Sequence, residues 1–266
     1  MFKDIKGILD YIVLLVPAAL RAATENRAAF WSLSFFMFLQ NIIMFMIWVI
    51  YFDNFSNLRG WELADLATLY GLAAFAFGLA FLLCGGALDL GRSIVEGELD
   101  VHLGRPRHPL IGLLFRESRA AGVGDMITAP VIWLWFANYS PLELGILVLL
   151  GLFSALIILA TALVINCLPF FAAQGSRMTD QLLESFIIIS TYPHNGFGVG
   201  VKILLLTIIP AGFVAYLPIE AIRNFDIPQM ALLGVAAVFY MSMAVIIFNR
   251  GLRRYTSGNK MLEVRQ

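Results

Sequence analysis

The chain has 266 residues, of which 60% are hydrophobic and 14% charged, and its 18 Lys and Arg balance its 18 Asp and Glu. An average soluble domain is about 45–50% apolar and about 25% charged, so this composition argues against a soluble enzyme and excludes a disordered chain. The zero net charge excludes an electrostatic nucleic-acid binder, and two cysteines are too few for a disulfide scaffold. The composition is typical of a polytopic membrane protein.

The first predicted element is an amphipathic helix over residues 1–27. Apolar residues recur along it at helical spacing, and Lys3, Lys6, Asp10 and Arg21 occupy the other side. We expect this helix to lie in the cytoplasmic membrane interface. A cleaved signal peptide is the alternative, because a short apolar stretch follows basic residues. The acidic residues and the proline within the segment argue against it.

Six membrane spans are predicted from the uncharged runs of the sequence. A helix needs about 20 apolar residues to cross the hydrocarbon core of a bilayer, and the longest uncharged runs contain 25, 23, 33 and 23 residues. The predicted spans are 28–52, 64–89, 119–138, 142–168, 180–192 and 228–249.

The distribution of basic residues predicts the orientation of these spans. If the N-terminus is cytoplasmic, 15 of the 18 Lys and Arg lie in cytoplasmic segments, as the positive-inside rule requires. Both termini are therefore predicted to be cytoplasmic, and residues 178–227 must cross the membrane an odd number of times. Prolines and glycines interrupt this stretch after Tyr192, so we expect one crossing and then a re-entrant helical element at 193–217 in the outer leaflet. Three short crossings are the alternative.

A cytoplasmic segment at 91–109, after the second span, mixes charged and apolar residues. A loop that needed only to stay hydrated would not require the apolar ones, so we expect a short amphipathic helix that offers a partly apolar face to a cytosolic partner. An interfacial helix resting on lipid is the alternative. The candidate contact residues are Arg92, Glu96, Glu98, Leu99, Asp100, Val101 and Arg105.

Three polar residues lie inside predicted spans. Gln40 and Asn41 are in the middle of the first span, where interhelical hydrogen bonds or the lining of a substrate path would explain them. Asp125 lies near the cytoplasmic end of the third span, and acidic residues within a membrane are functional candidates. A structural ion pair with Arg116 or Arg119 is the simpler expectation for Asp125.

No pattern in the sequence indicates catalysis or metal binding. The phosphate-binding motif GxxxxGK[ST] requires a Gly-Lys pair that the chain lacks. HExxH, CxxC and GxSxG are also missing from the sequence. We expect no metal site and no catalytic residue, and we expect Cys84 and Cys167 to be small buried hydrophobic residues.

Four short motifs, in this order, resemble a known family. They are GELDVHLGRP at 97–106, Tyr192-Pro193, IPAGFVAYLP at 209–218 and LRRYTSGN at 252–259. With the predicted spans, they resemble the permease subunit of a type-2 ATP-binding-cassette (ABC) transporter. The branch that looks most similar consists of bacterial permeases encoded beside a separate ATPase.

The resemblance implies an all-α permease of the bacterial cytoplasmic (inner) membrane, in which two chains, identical or sister subunits, enclose a central path. Two cytosolic ABC ATPases would bind ATP and Mg²⁺, and this chain would hold no cofactor and bind no nucleic acid. By position, 92–105 matches the coupling helix that contacts the ATPase. The N-terminal helix matches the family's interfacial helix, and 193–217 matches its outer re-entrant helices.

The broken backbone of the 193–217 element suggests an extracellular gate, with Phe197, Phe213 and Tyr216 as candidate closing side chains. A static plug that only fills space between spans is the alternative. Export is the usual direction in the family, and the apolar composition favours a hydrophobic or amphiphilic substrate. An ion-coupled secondary transporter is the alternative function. It would require several acids or histidines near the middle of the bilayer, where this sequence offers Asp125 and Glu184.

Overall fold

The structure is a computed structural model that describes residues 2–55, 60–105, 107–172, 175–192, 200–201, 205 and 209–256. Its regular elements are helices, as the sequence predicts, and the described residues form no β-sheet. The α-helices are α1 (Phe2–Thr24), α2 (Arg27–Asn54), α3 (Leu63–Leu83), α4 (Gly86–Glu96), α5 (Leu99–Leu103), α6 (Pro109–Leu114), α7 (Ala121–Phe136), α8 (Pro141–Asn166), α9 (Gly175–Ser190), α10 (Tyr216–Arg223) and α11 (Ile227–Leu252). Two short 3₁₀ helices cover Leu168–Phe170 and Pro210–Phe213.

Five stretches of the described chain are long and apolar enough to cross a membrane: Lys6–Thr24, Arg27–Asn54, Leu63–Leu83, Pro141–Phe170 and Ile227–Leu252. Four of them correspond to predicted spans. The predicted third and fifth spans form helices of 16 residues each, α7 and α9, which are about 24 Å long. The first stretch belongs to α1, which the sequence assigns to the interface.

Helix α1 lies across one end of the bundle. A β-carbon on Gly7 would come within 2.7 Å of the Arg107 guanidinium, and one on Gly112 would lie 3.7 Å from the Tyr11 hydroxyl. The C-terminal end of α1 leads directly into the start of α2, so both ends of α1 lie at the same end of the bundle. This placement favours the predicted interfacial helix, since a spanning helix would have one end on each side.

The second span is shorter than the predicted 64–89. Helix α3 ends at Leu83, and the chain turns at Cys84 and Gly85 before α4 begins. The Gly85 amide donates to the carbonyl of Glu117 at 3.1 Å. A β-carbon on Gly86 would lie 1.9 Å from the carbonyl oxygen of Leu113. The turn therefore depends on a close approach of two backbones that only glycine permits.

Helix α3 is the centre of the bundle and packs mainly against α7 and α8. The α3–α7 contact is close because glycines face each other, and a β-carbon on Gly78 would lie 2.6 Å from the Gly122 carbonyl oxygen. Lipid gives helices little hydrophobic reason to associate, so small residues that allow backbone contact stabilise such interfaces.

The spanning helices alternate in direction, which gives the bundle two distinct ends. Helices α4, α5 and α6 lie at one end, which we call the basic end, together with the starts of α2 and α7 and the end of α11. The opposite end holds α10 and the start of α11. Among the described Lys and Arg residues, only Arg223 lies at the opposite end, where it pairs with Asp65 at 2.6 Å.

Candidate functional site: a cleft along the bundle and a helical hairpin at its basic end

A cleft of about 650 Å³ runs between α2, α3, α7 and α9. It reaches from Leu88 and Arg119 near the basic end to Trp48 and Tyr192 near the opposite end. Its walls are mostly apolar, and the residues that line it include Met37, Met44, Ile47, Ala74, Phe77, Phe81, Ile187 and Ile188. A cleft of this size matches a small-molecule site, and its apolar walls suit a ligand with an apolar surface.

The polar lining of the cleft brings together the three residues singled out in the sequence, Gln40, Asn41 and Asp125, with Tyr70 beside them. The amide Nδ2 of Asn41 donates to Asp125 Oδ1 at 2.7 Å and lies 3.3 Å from the Thr128 hydroxyl. This contact confirms the expected interhelical hydrogen bond for Asn41.

The expected ion pair of Asp125 is wrong within the described part of the chain. Arg116 instead pairs with Glu98 at 2.8 Å, and Arg119 pairs with Asp89 and Glu117. Asp125 is only 5% exposed, and Asn41 is the side chain that donates to it. A buried carboxylate without a cation beside it is costly. The hydrogen bond from Asn41 lowers this cost and links α2 to α7.

The coupling segment predicted at 91–109 contains the end of α4 and all of α5, which are joined by a turn; we call these two helices and their turn the hairpin. Gly97 ends α4 with φ +80, a left-handed conformation that favours glycine. The chain then reverses into α5, and α6 follows from Pro109. The sequence did not predict α6, which packs against both α4 and α5.

A three-residue network holds α5 in place. Arg116 Nη1 donates to Glu98 Oε2 at 2.8 Å and to Ser93 Oγ at 2.9 Å, and Ser93 Oγ donates to Glu98 Oε2 at 2.7 Å. The hydrogen bonds from Ser93 and Arg116 hold the pKa of Glu98 below its usual range. Arg116 lies in the connection between α6 and α7, so α5 is tied to the segment that leads into a spanning helix.

The hairpin separates two residues that the sequence assigned to one partner-facing surface. Val101 is 65% exposed, whereas Leu99 is 0% exposed and packs in a core with Leu110 and Leu113. Placing Leu99 on the exposed face is therefore wrong, because Leu99 anchors α5 to α6. Leu103 joins Val101 on the exposed surface. The other predicted contact residues are all exposed: Arg92, Glu96, Glu98, Asp100 and Arg105.

His102 is a buried residue of the hairpin that is not among the candidate contact residues of the sequence analysis. It is 8% exposed and packs over Gly112, where a β-carbon would lie 2.7 Å from its Nδ1. Burial and the nearby charges of Arg105 and Arg116 lower the pKa of His102. His102 therefore packs on the side of α5 that faces α6.

The predicted outer gate is only partly described. Phe197 and most of 193–208 lie outside the described residues. Phe213 packs edge-on against Tyr240 with ring centroids 5.7 Å apart, and Tyr216 stacks on Trp61 at 6.2 Å. Neither Phe213 nor Tyr216 lines the cleft. The aromatic pair at the end of the cleft away from the basic end is Trp48 and Tyr192, with centroids 5.9 Å apart, and the sequence analysis missed this pair.

The all-helical bundle, with several helices long and apolar enough to cross a membrane, has the architecture of a multi-pass membrane protein. The family model described as ABC-2 family transporter protein matches residues 38–259, so the chain belongs to that family. Members of the family are the membrane subunits of ABC transporters, and the ATPase is a separate component. Comparison with curated proteins and with solved structures finds no match.

Proposed function

We propose that the chain is the membrane-spanning subunit of an ATP-driven exporter of a hydrophobic or amphiphilic substrate in the bacterial cytoplasmic membrane. The observation that carries this proposal is the cleft, which extends along the bundle between α2, α3, α7 and α9 and has mostly apolar walls. Family membership supports the transport role. Export and the chemical class of the substrate are inferred from the lining of the cleft and from the usual direction in the family.

In this proposal the cleft is half of the path, and a second permease chain, identical or sister, supplies the other half. The walls would hold the apolar part of the substrate, and Gln40, Asn41 and Asp125 would contact its polar part. Helix α2 lines the cleft and also exposes large apolar side chains that suit burial against a second chain or lipid: Trp31, Phe35, Phe36, Leu39, Ile43, Ile47 and Ile50.

The exposed surface of α5 is the proposed contact with the ATPase, which would bind ATP and Mg²⁺. Val101 and Leu103 of α5, and Arg105 just after it, are exposed and would make this contact, and Leu99 anchors α5 to α6. Movement of α5 would reach the start of α7 through the contact of Glu98 with Arg116. The concentration of basic residues at this end favours its placement in the cytoplasm, together with both termini.

The outer gate remains part of the proposal, with Phe213 and Tyr216 as its described members and Phe197 outside the described residues. Both described side chains pack against the bundle, outside the lining of the cleft. Gating would therefore require Pro210–Phe213 and α10 to shift relative to Trp61 and Tyr240.

Co-purification tests the partnership directly. The chain is expressed with a candidate ABC ATPase from the same genome and extracted in mild detergent, and only the chain carries an affinity tag. The proposal predicts that the ATPase is retained, and that it is lost when Val101 is replaced by Asp. Retention of the ATPase equally by an untagged control would contradict the proposal, and so would its absence from the wild-type preparation.

The alternative, an ion-coupled secondary transporter, has one observation in its favour, the buried carboxylate of Asp125 in the cleft. Such a transporter would move substrate without ATP and would stop when a protonophore collapses the proton gradient. The proposed exporter would require ATP and would continue to move substrate in the presence of a protonophore.

A further inference from the structure

A second pocket, of about 460 Å³, lies at the end of α11 and has no role in the transport proposal. We call it the arginine pocket. Its lining residues are Phe171, Ile247, Arg250, Arg253 and Arg254. It therefore combines three guanidinium groups with two apolar side chains at the basic end of a spanning helix.

The three arginines form no ion pair with the described residues. The ion pairs in that part of the chain belong to other arginines: Arg92, Arg116, Arg119 and Arg223. The guanidinium carbon of Arg254 lies 5.4 Å from the centroid of the Phe171 ring, a cation–π contact that leaves its charge uncompensated. Three like charges around one pocket repel one another, so an anion that accepts hydrogen bonds from them would be strongly favoured.

The base of the pocket is firmly built. Helix α11 approaches the 3₁₀ helix Leu168–Phe170 so closely that a β-carbon on Gly251 would lie 2.3 Å from the Phe170 ring. Phe170 also packs against Phe248 and Tyr255, with ring centroids 5.8 Å and 6.2 Å away. The aromatic cluster therefore fixes the end of α11 before any ligand binds, which lowers the entropic cost of binding.

The pocket continues into an apolar surface of α11. Phe239, Met243 and Ile246 are exposed and lie on one helical face, spaced four and three residues apart, and Arg250 follows four residues later. A ligand with a phosphate at the pocket could lay a hydrocarbon chain along this face. A free phosphate would contact the arginines alone.

We infer that the arginine pocket binds the headgroup phosphate of an anionic phospholipid whose acyl chain lies along Phe239, Met243 and Ile246. Arginine presents paired N–H donors that match a phosphate, and basic pockets beside membrane helices bind anionic headgroups. The ligand is a structural lipid of the transporter, distinct from the transported substrate.

The test is a lipid titration of the full-length chain in detergent. Native mass spectrometry measures the bound fraction for phosphatidylglycerol and for phosphatidylcholine with the same acyl chains. The site variant is Arg250→Gln/Arg254→Gln. The matched control is Arg21→Gln/Arg27→Gln, which removes two exposed positive charges from the same end of the bundle.

The wild type should prefer phosphatidylglycerol, and the site variant should bind it about 30-fold more weakly, because each arginine contributes about 1 kcal/mol, or about fivefold. The control variant should stay within about threefold of the wild type. Equal losses in the two variants would show general charge attraction and overturn the inference. Equal binding of phosphatidylcholine by the wild type would also overturn it.

Two further measurements keep the inference falsifiable. Millimolar inorganic phosphate should not displace phosphatidylglycerol, and full displacement would identify a free-anion site instead of a lipid site. If the Gln variant does not elute as a single species, Arg250→Lys/Arg254→Lys replaces it. The Lys variant keeps both charges but loses the guanidinium geometry, so it should bind at least threefold more weakly, and unchanged binding would contradict the role of the arginines.

Discussion

Single substitutions in α5 should separate its anchoring residue from its partner-facing residue. Leu99 is fully buried between α5 and α6, whereas Val101, two residues later, is 65% exposed. We therefore compare Leu99→Ala with Val101→Asp. The first removes side-chain volume from a core, and the second places a charge on an exposed surface.

The expected magnitudes follow from the burial of each residue. Truncating a fully buried leucine costs about 2–5 kcal/mol, because the lost hydrophobic burial adds to the cost of the cavity. An exposed substitution away from special features usually changes stability by no more than about 0.5 kcal/mol. Leu99→Ala should thus lower the thermal stability of the chain clearly, and Val101→Asp should leave it nearly unchanged.

The two variants should weaken ATPase binding for different reasons, one directly and one through loss of stability. Val101→Asp should abolish ATPase co-purification in a chain of normal stability, since a charge would enter an apolar contact. Leu99→Ala should weaken co-purification only through the loosened hairpin, so α5 amides should exchange hydrogen faster. Normal ATPase binding by Val101→Asp would refute the proposed contact surface. An unchanged melting temperature in Leu99→Ala would refute the assigned burial.

Three other predictions concern the bundle. Asn41→Ala should lower stability by about 1–3 kcal/mol, because it removes the hydrogen-bond donor to a buried carboxylate, and the loss should shrink when Asp125 is already Asn. Gly78→Ala should reduce the melting temperature of the chain because the new methyl group has no space, whereas Gly145→Ala, with open space around it, should not. In intact cells, a cysteine in the 91–109 segment should resist impermeant labels, whereas one in the α7–α8 connection should react; labelling of the first from outside would overturn the topology.

Sequence reasoning located the long helices because uncharged runs of membrane length leave few other structures possible. It misplaced the end of the second span because the turn at Gly85 depends on the Glu117 carbonyl, more than thirty residues away in the chain. Apolar and uncharged residues continue past this turn, so the hydrophobic pattern contains no signal for it.

The surface of the coupling segment was harder to predict for a local reason. A single continuous helix fixes which residues share a face, but Gly97 adopts φ +80 and restarts the helix in a new direction. Leu99 and Val101 therefore belong to a short second helix whose orientation is set by packing on α6. Gly97 could have suggested the break, but the direction of the chain after it depends on the tertiary structure.

For the polar residues of the cleft, too, the sequence predicted the residues but not their contacts. The sequence identified Gln40, Asn41 and Asp125 by their unusual depth in apolar runs. It then searched for a partner of Asp125 among nearby arginines, whereas the donor is Asn41, 84 residues away. Helix packing determines which side chains contact a buried charge, and a single sequence does not reveal that packing.

Transport into inside-out membrane vesicles tests the central claim most directly. Vesicles from cells that express the chain with its ATPase receive a fluorescent lipophilic amphiphile, and its accumulation is followed over time. The account predicts accumulation that requires ATP and Mg²⁺, persists with a protonophore, and is lost in Val101→Asp. Accumulation that ignores ATP and stops when the proton gradient is collapsed would contradict it.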